Sequence, residues 1–243
     1  MSIKEIIGDI SILYINLARS NDRKDKLEKT LNENDLKFTR IEAIDGNEID
    51  VESIKSKYNV NPKMNKYEIA CALSHYKAIE EVKSKKYEVA LILEDDCNFE
   101  YIKYKTLPLS ELIKIKDDWE TIQIAGTYSK KRFSEIINFQ EELLESNDSG
   151  AIAYLINQKG VDKILEHFYE TKVLNVSEHN MFLITKNYMT KPYLTYYNYR
   201  KIKSTIRQNI KSANMTQILS KIWWDDYYSK NKSSNFIKQA ESK

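Results

Sequence analysis

Cysteine, proline and glycine are all scarce in this chain, at 2, 3 and 5 of 243 residues. Two cysteines, Cys71 and Cys97, give neither a disulfide framework nor a metal-spacing pair. Both are expected to be reduced and partly buried, as in a reducing compartment. The low glycine and proline content excludes collagen-like and low-complexity chains. Long apolar runs are absent too. The longest, around Ile10–Ile15 and Val89–Leu93, are strand-sized, whereas a bilayer span needs about 20 apolar residues. No long apolar stretch follows a basic start, so no secretory leader is expected, and the expected location is cytoplasmic.

What is present reads as a folded protein. Apolar residues make up 42% and charged residues 30%, a globular composition. The length suits one mid-sized domain with a small appendage. Tyrosine is abundant, at 17 residues. Its ring buries area while its hydroxyl stays wet, which suits polar ligands such as sugars; a drift toward Lys, Asn, Ile and Tyr explains the abundance equally well. The net charge of +2 hides an asymmetry: Arg200 to Lys243 carries ten basic residues against three acidic ones, leaving 28 basic and 33 acidic in the body. A basic tail on an acidic body suits an anionic neighbour or simple solvation. Nucleic-acid binding is not expected, because the body is acidic and the basic residues of the tail lack interleaved aromatics.

Along the chain, residues 10–17 are β-branched and nearly all apolar, as in a strand covered on both faces. A helix is predicted from Asp22 to Leu36 and a second strand over Phe38–Ile44, stopped by the turn signal Asp45-Gly46. This order suggests a βαβ unit and a parallel sheet. Residues 47–66 read as irregular. Ile69, Leu73, Tyr76, Ile79 and Val82 predict a helix over 66–84, and 89–93 is the clearest central strand. Further expectations are a helix over 107–116, strands over 121–125 and 151–156, a loop over 127–148 and a helix over 160–168. Segments 177–182 and 193–199 complete the core.

The most informative feature is the apolar strand that runs straight into Glu94-Asp95-Asp96. In open α/β sheets ligands bind beyond the carboxyl ends of the strands. Three carboxylates there raise one another's pKa unless a cation joins them. Mn²⁺ or Mg²⁺ is the natural cation, since both take oxygen ligands and bridge substrate phosphates. Alternation along an extended chain puts Glu94 and Asp96 on one side and Asp95 on the other, which favours Glu94 and Asp96 as the metal or ribose pair. Helix capping or pairing with lysine is the structural alternative.

Four segments together resemble glycosyltransferase family 25, the lipooligosaccharide β-galactosyltransferase and collagen galactosyltransferase family. They are Tyr14-Ile15-Asn16-Leu17 with Asp22-Arg23, the Ala43-Ile44-Asp45-Gly46 turn, the helix Glu68-Ile69-Ala70-Cys71-Ala72-Leu73-Ser74-His75, and Leu91-Ile92-Leu93-Glu94-Asp95-Asp96. Ala70 departs from the family's usual glycine. The resemblance covers roughly residues 10–205. It implies a GT-A-like, Rossmann-type α/β fold with a mostly parallel sheet over residues 1–200. It also implies an inverting, metal-assisted transfer of a sugar, galactose favoured, from a nucleotide-sugar donor, UDP-sugar favoured, to a glycan or glycolipid acceptor. By motif, Asn16, Arg23, Asp45, Gly46, Ser74, His75, Glu94 and Asp95 would line the donor site. Glu178 is the candidate base for the acceptor hydroxyl, with Asp96 beside it in catalysis. His179 could join Glu94 and Asp96 around the metal.

Residues 201–243 form a basic extension. Ile202, Ile206 and Ile210 lie among Lys201, Lys203, Arg207 and Lys211, and Trp223-Trp224 follow. Such a stripe either docks on the core or rests on an anionic membrane surface, which would place the protein peripherally at the inner face. The last 15 or so residues read as disordered. Ser204 to Arg207 resembles a late family element. Two other functions stay open: a metal-dependent nucleotidyltransferase, which would share the acidic strand end, and a nucleotide-sugar-binding protein without catalysis.

Overall fold

The computed structural model describes residues 1–99, 102, 107–125, 142–145, 150–191 and 196–197. The chain begins with α1 (Ile3–Ile7), β1 (Ser11–Asn16), α2 (Asn21–Glu33), β2 (Phe38–Glu42), α3 (Val51–Lys57) and β3 (Asn59–Val60). Next come α4 (Lys66–Lys85), β4 (Val89–Glu94), β5 (Cys97–Asn98), α5 (Leu109–Leu112), β6 (Thr121–Ala125) and β7 (Glu142–Glu145). The described elements end with β8 (Ala153–Asn157), α6 (Gln158–Thr171), β9 (Val173–Leu174), α7 (Ser177–Met181), β10 (Asn187–Lys191) and β11 (Tyr196–Tyr197).

Seven strands form one sheet in the order β2-β1-β4-β8-β6-β10-β7. β1 is parallel to both β2 and β4, and β6 is parallel to β10. β8 runs antiparallel to both β4 and β6, and β7 antiparallel to β10. The α/β class therefore holds, on a mixed sheet in which five strands run one way and two are reversed. The reversal of β8 was not expected, because an apolar run carries no record of its direction.

The apolar runs of β1 and β4 explain their central place. Ile12 and Tyr14 with Leu91 and Leu93 face one core, beneath Ile6, Ile7, Leu27 and Leu31 of α1 and α2. Leu13 and Ile15 with Ala90 and Ile92 face the other, against Ile69, Ile79 and Val82 of α4 and Val161, Ile164 and Phe168 of α6. Burying each such side chain contributes about 1.5–3 kcal/mol, so a sheet clad on both faces is the favourable arrangement. α4 starts at a capping box, in which the Asn65 side chain accepts from the Tyr67 and Glu68 amides while Glu68 reaches back to Asn65.

Several elements depart from expectation. Residues 47–66 contain α3, whose N-cap Asp50 accepts from the Glu52 and Ser53 amides. None of its residues is buried, so it leaves no apolar periodicity to read. The helix expected over 107–116 is reduced to the single turn α5, and residues 177–182 form a helical turn. β7 falls inside the expected loop 127–148, most of which lies outside the described residues, as does most of 193–199. The extension 201–243, with its amphipathic stripe, Trp223-Trp224 and the Ser204–Arg207 stretch, lies wholly outside them. Among the described residues no helix is long and apolar enough to cross a membrane.

Candidate active site

β1 and β4 are parallel neighbours, so their carboxyl ends, Asn16 and Glu94, open at the same edge of the sheet. Here the strand alternation stops: β4 ends at Glu94, and Asp95-Asp96 form a turn. The alternation that sets Glu94 and Asp96 against Asp95 therefore does not extend past Glu94. Arg23, buried in the first turn of α2, places Nη1 3.0 Å from Asp95 Oδ1 and 3.5 Å from Asp96 Oδ2. Asn16 is 1% exposed. Its amide donates to Asp95 Oδ2 at 2.8 Å and to the Ser20 carbonyl at 3.1 Å, and its Oδ1 accepts from Arg40 Nε at 2.9 Å. Asn16 and Arg23 thus hold the acidic turn against the end of β1.

The two aspartates are not equally satisfied. Burial raises Asp95 above the ordinary aspartate range, opposed by the Arg23 charge and the bonds from Asn16 and Arg23. Asp96 is pushed well above it, first by burial and then by the charges of Glu94 and Asp95. Among the described residues, Asp96 Oδ1 is buried and has no hydrogen-bond partner. An orphaned carboxylate oxygen in such a place is costly unless a cation completes it.

Glu94 turns instead toward His75. The His75 ring, 1% exposed, lies with Nε2 3.4 Å from Glu94 Oε1 and Nδ1 3.1 Å from the Tyr154 hydroxyl of β8. One turn earlier on α4, Cys71 shares that face. Its Sγ lies 3.5 Å from Ser177 Oγ, and burial followed by the Glu94 charge pushes its thiol pKa up. Among the described residues, one set of His, Cys, Asp and Glu has three ligand atoms within 4.8 Å of one another: Cys71, His75 and Glu94. The expected set of Glu94, Asp96 and His179 does not converge in this way, because His179 is exposed on the single turn α7.

Glu178, on the same turn, is half-buried, and its charge acts on the Cys71 thiol together with those of Glu94 and Asp96. These carboxylates therefore surround one region.

Ser74 has a different environment from the crevice-facing one expected. It is buried, donates to the Ala70 carbonyl at 2.7 Å and accepts from the Ile44 amide at 2.9 Å. It thereby ties α4 to the turn that carries Asp45 and Gly46. Asp45 pairs with Arg19 and caps the Asn47 amide at 2.9 Å, and the Arg19 bond holds its carboxyl below the ordinary range. Gly46 packs onto the start of α4: a Cβ there would lie 2.6 Å from Tyr67 Cδ1 and 2.9 Å from Tyr67 Cα.

Sequence reasoning missed Arg40, Arg19, Tyr154 and the link between Cys71 and Glu94. The Cys71–His75 spacing of four places both on one helix face and was legible. That β4 would bring Glu94 to them was not.

Comparison with known proteins identifies the family. The family model for glycosyltransferase family 25 (LPS biosynthesis protein) matches residues 9–183, a span holding every site residue named above. Procollagen galactosyltransferase 2 of Mus musculus is 30% identical over 217 residues, covering 82% of this chain and 34% of that protein. The protein of the same name from Homo sapiens is 29% identical over 213 residues, with the same coverage. A glycosyltransferase 25 family member of Aedes aegypti is 26% identical over 193 residues, covering 72% of this chain and 31% of its own. The chain spans about a third of the length of these relatives. A solved glycosyltransferase involved in glycosylating the major capsid of PBCV-1 aligns over 79% of this chain and 94% of its own, at 8% identity and a TM-score of 0.47. On the breadth of the family match, this chain belongs to glycosyltransferase family 25.

Proposed function

We propose that the protein transfers galactose from a UDP-sugar to a hydroxyl of a glycan or glycoconjugate, inverting the anomeric carbon with the help of a divalent metal. The galactosyl preference follows the names of the relatives. The observation that carries the reading is Asp96, whose buried Oδ1 has no partner among the described residues and lies beside two further carboxylates at the open end of the central strands.

Oxygen donors of this kind fit Mn²⁺ or Mg²⁺, and Glu94 and Asp96 are the residues that would hold it. When bound, such a cation neutralises charge building on the departing diphosphate. Arg23 and Asn16 fix the acidic turn so that its oxygens are in place before the donor arrives. Direct displacement needs a base on the acceptor side of the anomeric carbon, and half-buried Glu178 is the residue proposed for it. His75, steadied by Tyr154, is proposed to position Glu94. The Asp45-Gly46 turn is proposed to flank the nucleotide.

The test is release of nucleotide from UDP-, GDP- and CMP-sugars with and without Mn²⁺, beside an Asp96→Ala variant. Slow metal-dependent turnover of UDP-galactose, lost in the variant, is the expected result. Turnover of nucleoside triphosphates with no sugar donor bound would replace this reading by a nucleotidyltransferase.

A further inference from the structure

Outside the orphaned aspartate, the described residues hold a second convergence of ligand atoms, of different chemistry. Cys71 and His75 are one helical turn apart on α4, and Glu94 ends the neighbouring strand β4. Their sulfur, nitrogen and oxygen atoms lie within 4.8 Å of one another, and the nitrogen and oxygen are already 3.4 Å apart. Tetrahedral zinc with bonds of roughly 2.0–2.3 Å spaces its ligands about 3.3–3.8 Å apart. Closing by about an ångström would therefore complete three corners.

We propose that Cys71 Sγ, His75 Nε2 and Glu94 Oε1 form a binding site for Zn²⁺, which shares Glu94 with the oxygen-rich metal site of the transfer reaction but adds sulfur and nitrogen ligands that the latter lacks.

Three features support it. The first is the ring's anchorage. His75 Nδ1 lies 3.1 Å from the Tyr154 hydroxyl; in the tautomer that donates from Nδ1 to that hydroxyl, Nε2, 3.4 Å from Glu94 Oε1, is the ring nitrogen left to bind a metal. Such an outer hydrogen bond is how zinc-binding histidines are usually oriented. The second is charge. A thiolate, a carboxylate and a neutral imidazole balance a divalent cation. The third is access: Cys71 is half-buried and the Glu94 side chain is 23% exposed, so the cluster is not sealed from solvent.

Binding forms Zn–S, Zn–N and Zn–O bonds and releases the Cys71 thiol proton to solvent, with no redox change. The thiolate selects zinc, cobalt or cadmium over manganese and magnesium. Occupancy withdraws Glu94 from the acidic cluster, so zinc should inhibit the transferase. That consequence rests on the proposed function; the binding itself does not.

The test uses the full chain, reduced and freed of metal, titrated with Co²⁺ under anaerobic conditions. A thiolate-to-cobalt charge-transfer band should grow to one equivalent, persist in excess Mn²⁺ and bleach on adding Zn²⁺. Cys71→Ser should abolish the band while Cys97→Ser retains it. The same Cys71→Ser change should weaken zinc binding on the order of 100-fold or more, since both a ligand and its charge are lost. Absence of the band in the unaltered chain, or its survival in Cys71→Ser, would overturn the site. A band without sugar transfer would leave the zinc site standing and remove the transferase reading. Manganese-dependent transfer without the band would do the reverse.

Discussion

The side-chain amide of Asn16 donates to Asp95 across 2.8 Å, joining the carboxyl ends of β1 and β4, two parallel neighbours in the sheet. The acidic turn is therefore fastened to the fold from two directions, by Asn16 beneath it and by Arg23 beside it. Its rigidity and its chemistry are separable, and each can be tested.

Replacing Arg23 by methionine should be among the most destabilising single changes in the chain. The guanidinium is 8% exposed, with the side chains of Asp95 and Asp96 9% and 5% exposed. Removing one partner of a buried pair costs about 3–5 kcal/mol. Urea unfolding measures this; a loss below about 1 kcal/mol would show that the turn is held by other means.

Asp96→Asn should separate stability from activity. Asp96 has its folded pKa raised well above the ordinary 3.8 by burial. Between the two values the native state holds the extra proton, so the wild type loses stability as pH rises through that window. The metal-free variant should match wild type near pH 3 and become the more stable protein by pH 7. Turnover should meanwhile fall on the order of 100-fold or more. Paired melts across pH provide the check, and a variant less stable at pH 7 would contradict the buried, unsatisfied carboxylate.

Gly46→Ala should act through packing. The added methyl would meet the Tyr67 backbone at 2.9 Å, which flexible side-chain motion cannot relieve. A loss of about 1–3 kcal/mol is expected for such overpacking, together with a raised KM for the nucleotide sugar and a smaller change in kcat. An unchanged melting temperature would mean that the turn shifts freely and does not position Asp45.

Glu178→Gln tests the assigned base. Removing a general base typically costs 10²–10⁴-fold in the catalysed step, so transfer to acceptor should fall by about that range while donor affinity is kept. Equal losses in donor binding and transfer would instead place Glu178 on the donor side.

The parts of this architecture that were legible share one property: a strong contrast between neighbouring residues. The apolar run of β4 against Glu94-Asp95-Asp96 located the site, and the spacing from Ile69 to Val82 located α4. α3 escaped notice because none of its residues is buried, so its only signal was the cap at Asp50. The side chains that the acidic cluster bonds were not legible, because alternation assumes an extended chain and the chain turns after Glu94. Ser74 and His75 were recognised as a motif, but what each one bonds depends on the turn after β2 and on β4 and β8, which local spacing cannot report. The direction of β8 likewise follows from its connections and not from its composition.

That antiparallel strand has a consequence for how the molecule is assembled. β8 supplies the pairing between β4 and β6, yet it is made after both. A nascent chain up to residue 150 can join β2, β1 and β4, but leaves one open edge on β4 and another on β6 with nothing between them. Such edges invite pairing with other chains, so a chain truncated at residue 150 should aggregate where one carried through β10 stays dispersed. Tyr154 arrives with the closing strand and meets His75 there. The His75–Tyr154 contact is thus made by the same event that joins the two halves of the sheet, and partly made chains carry the acidic turn without it.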